Sequence, residues 1–474
     1  MRRRFILTLI GCAMLAVGVI GAYQTSAQTK MPRMVYRERT LANGLRVLSV
    51  VDKSSPTVAI NVWYHVGSKD DPDQRSGFAH LFEHIMFKST KNMKAETMDR
   101  LTEDVGGNNN AFTEDDVTVY YEIIPSNYLE TLLWAEADRL SGLTVDDESF
   151  HSERDVVKEE YRTSVLAPPY GKFFYMMQQK SFASHPYKRP TIGSIEDLDA
   201  ATLENVQKFH ATYYRPDNAT LLVVGDFDPK QLDAFVDKYF GPIQKPNLPL
   251  PRVQAKEPER TGEKRFTEYG ANVPLPGVGI TYLIPSEKSE DAPALTMVDI
   301  ILSQGRSSRL YQSLIYQQQV AQSANANADL KEDIGLFELT AIVAAGKKPE
   351  DAESSLRAEI KKLQDVAVTA AELEKAKNQI ITSQLRQRET NNGKANALGQ
   401  AAVLLGDPNR VNTELEQLQA VTAADVQRVA RKYFTDQNRY VFLYLPESMR
   451  TASAANKMPY GRDGISQVKG AYAK

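Results

Sequence analysis

The apolar positions change their period along the chain. Val58, Ile60, Val62, Tyr64 and Val66 alternate, which predicts a β-strand buried on one face. Leu129, Leu132, Leu133 and Leu140 instead recur at helical spacing. Near the start, Asn43-Gly44 stands between apolar segments and predicts a tight hairpin. The pattern as a whole is α+β.

Polar positions reveal a second layer of order. Between Pro242 and Pro258 lie Pro246, Pro249 and Pro251 among polar residues, a composition that favours an extended, semi-rigid connector. Across it, a constant offset of 220 residues pairs Ile195, Glu196 and Leu198 with Leu415, Glu416 and Leu418. In the same register Thr202, Val206, Gln207, Lys208, Tyr213 and Asn218 fall on Thr422, Val426, Gln427, Arg428, Tyr433 and Asn438. Both segments then run into apolar strands, Leu221 to Val224 and Val441 to Leu445. Shared hydrophobic patterning does not require identical polar residues, so the match indicates a duplicated domain. The expected layout is a first half at 35–245, a linker at 246–262, a second half at 263–447, and a tail at 448–474 without apolar periodicity.

Composition narrows the class. At 474 residues the chain exceeds one ordinary domain. A net charge of -3 supplies no broad basic field, which argues against nucleic acid as a partner. Three arginines, Arg2 to Arg4, precede an apolar run from Phe5 to Ala22 and a small-residue exit ending at Ala27, the order of a cleaved export leader at 1–27. Export to the periplasm is expected. Leu9-Ile10-Gly11-Cys12 also fits a lipid-attachment box, but apolar residues continue well past Cys12, so the lipid-anchored form ranks second. Cys12 is the only cysteine, and the mature chain therefore needs no disulfide and has no thiolate to offer a metal. Any metal site must draw on His and carboxylates.

One segment offers them. In His80-Leu81-Phe82-Glu83-His84 the two histidines lie four apart, one above the other on a helix face, with Glu83 beside them. Such a pair suits zinc, which in catalytic sites takes three protein ligands and leaves a fourth position open. A second acidic cluster runs from Glu153 to Glu160; seven residues separate these two carboxylates, placing them two helical turns apart on one face. Glu160 can serve as a ligand and Glu153 as its support.

His80-x-x-Glu83-His84, followed 76 residues after His84 by Glu160, resembles the inverted zinc motif of the pitrilysin, insulysin and mitochondrial processing peptidase family, family M16. The resemblance implies two homologous α/β-sandwich halves in a clamshell-type assembly and a zinc-dependent endopeptidase acting on unfolded peptides. It implies that His80, His84 and Glu160 bind one Zn2+, that Glu83 is the general base, and that Glu153 supports from behind the ligands. Gly106 to Thr113, leading to Thr118-Val119-Tyr120-Tyr121, resembles the family's strand beside the metal, so Asn110 and Ala111 are expected to contact the substrate backbone. All six histidines precede the linker, so the second half cannot build an equivalent His-based site.

The chain departs from the family at one point. Many members carry, after a Ser-Arg-Leu stretch in the second half, an Arg and then a Tyr seven residues on. Aligned on Ser308-Arg309-Leu310, those positions hold Ile315 and Gln322. This implies a hetero-dimeric partner subunit that supplies the missing pair, a homodimer remaining an alternative. The rival to an enzyme is a non-catalytic, peptide-binding or structural subunit, against which the intact His80, Glu83, His84 and Glu160 speak. Gly305-Arg306-Ser307-Ser308 lacks the ending of a phosphate loop, and Thr369 to Glu372 reads as a helix cap; neither is assigned a function.

Overall fold

The structure is a computed structural model that describes residues 31–450. The leader, with Cys12, and the tail from residue 451 lie outside the described residues.

Asn43-Gly44 forms the expected turn. The Leu41 N–H donates to the Leu45 carbonyl at 2.9 Å, and Gly44 adopts φ +92°, a conformation glycine takes without strain. The turn joins β1 (Arg37–Thr40) to β2 (Arg46–Val51). There follow β3 (Thr57–Tyr64), α1 (Phe78–Ile85), α2 (Thr97–Glu103), β4 (Asn108–Thr113), β5 (Thr118–Pro125), α3 (Leu129–Gly142) and α4 (Asp147–Tyr161). The half is completed by α5 (Gly171–Ser181), α6 (Ile195–Asp199), α7 (Leu203–Tyr213), β6 (Ala219–Gly225) and α8 (Pro229–Tyr239). Its six strands order as β1-β2-β6-β3-β5-β4. Only β2 and β6 pair in parallel, and β4 is a free edge.

The second half repeats this plan. Its elements are β7 (Lys264–Gly270), β8 (Gly277–Pro285), α9 (Ala292–Ser303), β9 (Ala321–Asp329), β10 (Ile334–Val343), α10 (Pro349–Asp365) and α11 (Ala370–Gln387). They continue through α12 (Asn391–Val403), α13 (Arg410–Ala420), α14 (Ala423–Tyr433) and β11 (Arg439–Pro446). The sheet order β7-β11-β8-β10-β9 reproduces that of β2-β6-β3-β5-β4, with the one parallel pair, β7 and β11, in the same place. Helices α7 and α14 span equivalent residues at the 220-residue offset. The identical polar residues do the same local work in each half. Thr202 and Thr422 cap these helices by accepting the N–H groups of Asn205 and Asp425. Asn218 and Asn438 each donate 2.8 Å bonds to the last helical carbonyls, of Tyr213 and Tyr433, and so tie helix end to strand start.

One expectation needs correction. β3 is buried on both faces, not one. Its second face is covered by α12, a helix of the other half that packs against β3 and β6. Gly399 permits this approach, because a Cβ there would stand 2.3 Å from Trp63 Cε2. The exchange is reciprocal: α5 packs on β8 and β11, where Phe173 and Met177 fill the space left by Gly277 and Gly279. The linker is extended and pinned, with Arg252 donating to the His65 carbonyl at 2.7 Å and Glu257 accepting the N–H groups of Ala183, Ser184 and His185.

The exchanged helix is also tied by charge. Lys394 on α12 pairs with Asp52 just beyond β2. This hydrogen bond, with a smaller contribution from Ser54, holds the Asp52 carboxyl down to about 2. A depressed folded value stabilises the fold above the unfolded value and is lost as pH falls through the folded one. Asp52→Asn is therefore expected to be less stable than the parent chain at pH 7 and equal to it near pH 2, as read from denaturant midpoints. A stability difference independent of pH would contradict this linkage.

Candidate metal centre

The motif lies on α1, whose inner face, Phe78, Leu81, Phe82 and Ile85, is fully buried in the first half's core. That face fixes the helix rotation and leaves His80, Glu83 and His84 on the opposite side. Asp71 holds the helix start, its two oxygens accepting the Gly77 and Ala79 N–H groups at 2.7 and 2.8 Å. Gly77 has φ +91° and lies against the loop at residues 191–193, where a Cβ would meet the Ile192 carbonyl at 2.8 Å.

Helix α4 brings the acids. Its N-cap Asp146 accepts the Ser149 N–H, and Phe150 and Val157 bury one face. Glu160 Oε2 then stands 3.6 Å from His80 Nε2 and 3.4 Å from His84 Nε2. Glu153 Oε2 lies 3.7 Å from the other nitrogen of His84, Nδ1, and its second oxygen accepts Lys88 Nζ at 2.7 Å. Glu83 points into the same space, and its Oε2 accepts a 2.7 Å hydrogen bond from Thr113 Oγ1 on β4. Of these, His80, Glu83, Thr113 and Glu160 line a cavity of about 320 Å³ together with Ala111, Phe112, Thr191 and Ile192.

The electrostatics follow from burial and from these neighbours. Burial, partly offset by Glu160, pulls the His80 imidazole down to about 4. For His84 burial acts in the same direction, but the carboxylates of Glu153 and Glu160 outweigh it and raise the ring to about 9. His84 in turn holds Glu160 below the usual carboxylate range against burial. Glu153 is also lowered, because His84 and Lys88 overcome its burial. Glu83 moves up: burial dominates, and Thr113 and His84 only moderate it. A carboxylate raised towards neutrality is a stronger proton acceptor.

The residues fit a zinc ion. Ligand atoms of His80, His84 and Glu160 all lie within 4.8 Å of one another, and no other such group of three occurs among the described residues. Four ligands at zinc bond lengths of roughly 2.0–2.1 Å stand roughly 3.4 Å apart at the corners of a tetrahedron. The separations of 3.4 and 3.6 Å match that edge. Two imidazoles and one carboxylate, with no thiolate, are a donor set suited to zinc.

The residues expected to act together are largely assembled. His80, Glu83, Glu160 and Ala111 share the cavity, His84 joins them through its contact with Glu160, and Glu153 lies behind His84. Asn110 is exposed on β4, where its side chain accepts the Ala111 N–H at 2.8 Å. His151 faces away and bonds the carbonyl of Asp147 in its own helix. Ile315 packs against the second half's core, and Gln322 is exposed on β9. Arg309, the Arg of the Ser-Arg-Leu stretch, is occupied by Glu372 at 2.9 Å. Thr113 was expected on the strand beside the metal but without a role, and Lys88 and the loop at Thr191 were not expected here. Lys88 follows His84 by four residues, so helical spacing carried that signal. Thr191 is distant in sequence, and no local pattern marks it.

This fold carries a donor set of the kind that zinc proteases use. Comparison with known proteins agrees. Residues 46–194 match the profile described as Insulinase (Peptidase family M16), and residues 200–380 match the Peptidase M16 inactive domain. The chain is 30% identical over 440 residues to the zinc protease PqqE of Helicobacter pylori, covering 92% of this chain and 98% of that one. It is 25% identical over 410 residues to the probable mitochondrial-processing peptidase subunit beta of Arabidopsis thaliana, covering 85% and 77% of the two chains. The solved structure of a protease from Helicobacter pylori superposes with a TM-score of 0.84 at 30% identity, covering 87% and 99%. The chain belongs to peptidase family M16.

Proposed function

We propose that this protein is a zinc endopeptidase that hydrolyses unfolded peptides, with His80, His84 and Glu160 holding one zinc ion and Glu83 acting as general base. The observation that carries this reading is the convergence of His80 Nε2 and His84 Nε2 on one Glu160 oxygen, in a cavity that Glu83 also lines. Zinc in that position would supply Lewis acidity, which polarises the scissile carbonyl and makes water a nucleophile near neutral pH. Glu83 accepts the proton from the attacking water and returns it to the leaving amine. Glu153 orients the His84 ring through Nδ1, as carboxylates behind histidine ligands do, and Lys88 keeps Glu153 ionised.

Substrate binding is assigned to the free edge of β4. An extended peptide would gain main-chain hydrogen bonds there with little demand on its side chains. The Ala111 N–H is already polarised outward, towards the Asn110 amide oxygen, which a substrate carbonyl would replace.

The absence of an Arg and a Tyr at Ile315 and Gln322 favours a hetero-partner that supplies a carbonyl donor. A relative named as a beta subunit is in keeping with paired chains. Export to the periplasm rests on the leader, and no helix among the described residues is long and apolar enough to cross a membrane.

The test is hydrolysis of a medium-length quenched peptide by the chain purified from the periplasm. Its N-terminus would be sequenced, its metal content measured and a chelator control run. Chelator-sensitive turnover by the single chain is the expected result if no partner is needed. Bound zinc without turnover until a second subunit is added would identify complementation. Turnover that ignores the chelator would refute the zinc reading, and a chain beginning at Met1 would remove the export reading.

A further inference from the structure

A carboxylate has two oxygens, and a general base that exchanges one proton with two partners needs a defined one to do so. In this fold Glu83 Oε2 receives the hydroxyl of Thr113 at 2.7 Å. A hydroxyl donating to Oε2 resists a proton on that same oxygen, so the proton is directed to Oε1. Thr113 is itself firmly placed. It ends β4, pairs with Thr118 in the sheet, and lies on the same strand face as Ala111, two residues before it. Thr118 does not compete for Glu83, since its hydroxyl donates to the Val66 carbonyl at 2.9 Å.

Resting on the reading of Glu83 as the base, we propose that Thr113 is a positioning residue that locks the Glu83 carboxylate and reserves Oε2, so that protons pass through Oε1. The residue also joins two functions on one strand. The edge that would receive the substrate backbone at Ala111 holds the base two residues later, so a shift of β4 moves both. Glu83 is half-buried, and the Thr113 hydroxyl is the group that fixes its rotamer.

The test replaces Thr113 by Val, which keeps the branched shape suited to a strand end and removes only the donor. The expected result with a quenched peptide is a fall in kcat of about 10- to 100-fold, KM within about twofold, and an unchanged zinc content. Thr113→Ser, which restores the hydroxyl, should recover most of kcat. A Val variant with the parent kcat would overturn the proposal, as would a change in KM alone, loss of zinc, or failure of Ser to rescue. Glu83→Gln run in parallel separates the two levels. An active Glu83→Gln enzyme refutes the base assignment itself, whereas an inactive one beside a fully active Thr113→Val refutes only the role of Thr113.

Discussion

Converting Glu83 to Gln is expected to lower kcat by about 10²- to 10⁴-fold, the contribution typical of a general base, while one zinc ion per chain remains bound. The substitution keeps the size of the side chain, and its amide oxygen can still accept the Thr113 hydroxyl. Only the capacity to take a proton is removed. Glu83 is not one of the three converging donors, so metal content should not change. Nor should the fold suffer, because the carboxylate is held partly against its preference by burial, and a neutral amide there avoids that cost. Peptide hydrolysis and metal content measured on the same preparation decide the matter. Activity within a few-fold of the parent would show that another group activates water, and loss of zinc would show that Glu83 is a ligand.

Much of this was legible in the sequence, for physical reasons that can be named. His80, Glu83 and His84 are separated by the helical repeat, so a local pattern fixed their common face. Glu153 and Glu160 obey the same rule on α4. The duplication was visible because caps and helix-to-strand ties demand particular polar residues: Thr202 and Thr422 accept N–H groups, and Asn218 and Asn438 bind helix carbonyls. The exchange of α5 and α12 was not visible. Alternation along β3 reports that one face is apolar, but the burial of the other face depends on a helix more than 300 residues away, and Gly399 gives no local sign that it lies on Trp63. Thr113 stayed hidden for a related reason: a hydroxyl at a strand end has many uses, and only the approach of α1 to β4 in space selects one.

The two glutamates of α4 should separate cleanly when each is changed to Gln. Glu160 faces both Nε2 atoms, while Glu153 meets only the Nδ1 of His84 and is shared with Lys88. Losing one of three ligands removes roughly a quarter of a binding free energy that totals roughly 10–16 kcal/mol in small zinc sites, so Glu160→Gln is expected to weaken zinc binding by about 10²- to 10³-fold or more. Losing a carboxylate behind a ligand leaves the ion in place with a less well oriented ring, and Glu153→Gln should cost about 10- to 100-fold. The folded chain should tolerate the first change well, because 42% of the Glu160 side chain is exposed and its carboxylate anchors no core. The second change reaches a buried position and leaves Lys88 without its partner, so a modest loss of stability should accompany it. Competition with a chelator of known affinity, read beside unfolding midpoints, measures both quantities. The opposite order of zinc affinities would exchange the two roles, making Glu153 the ligand and Glu160 its support.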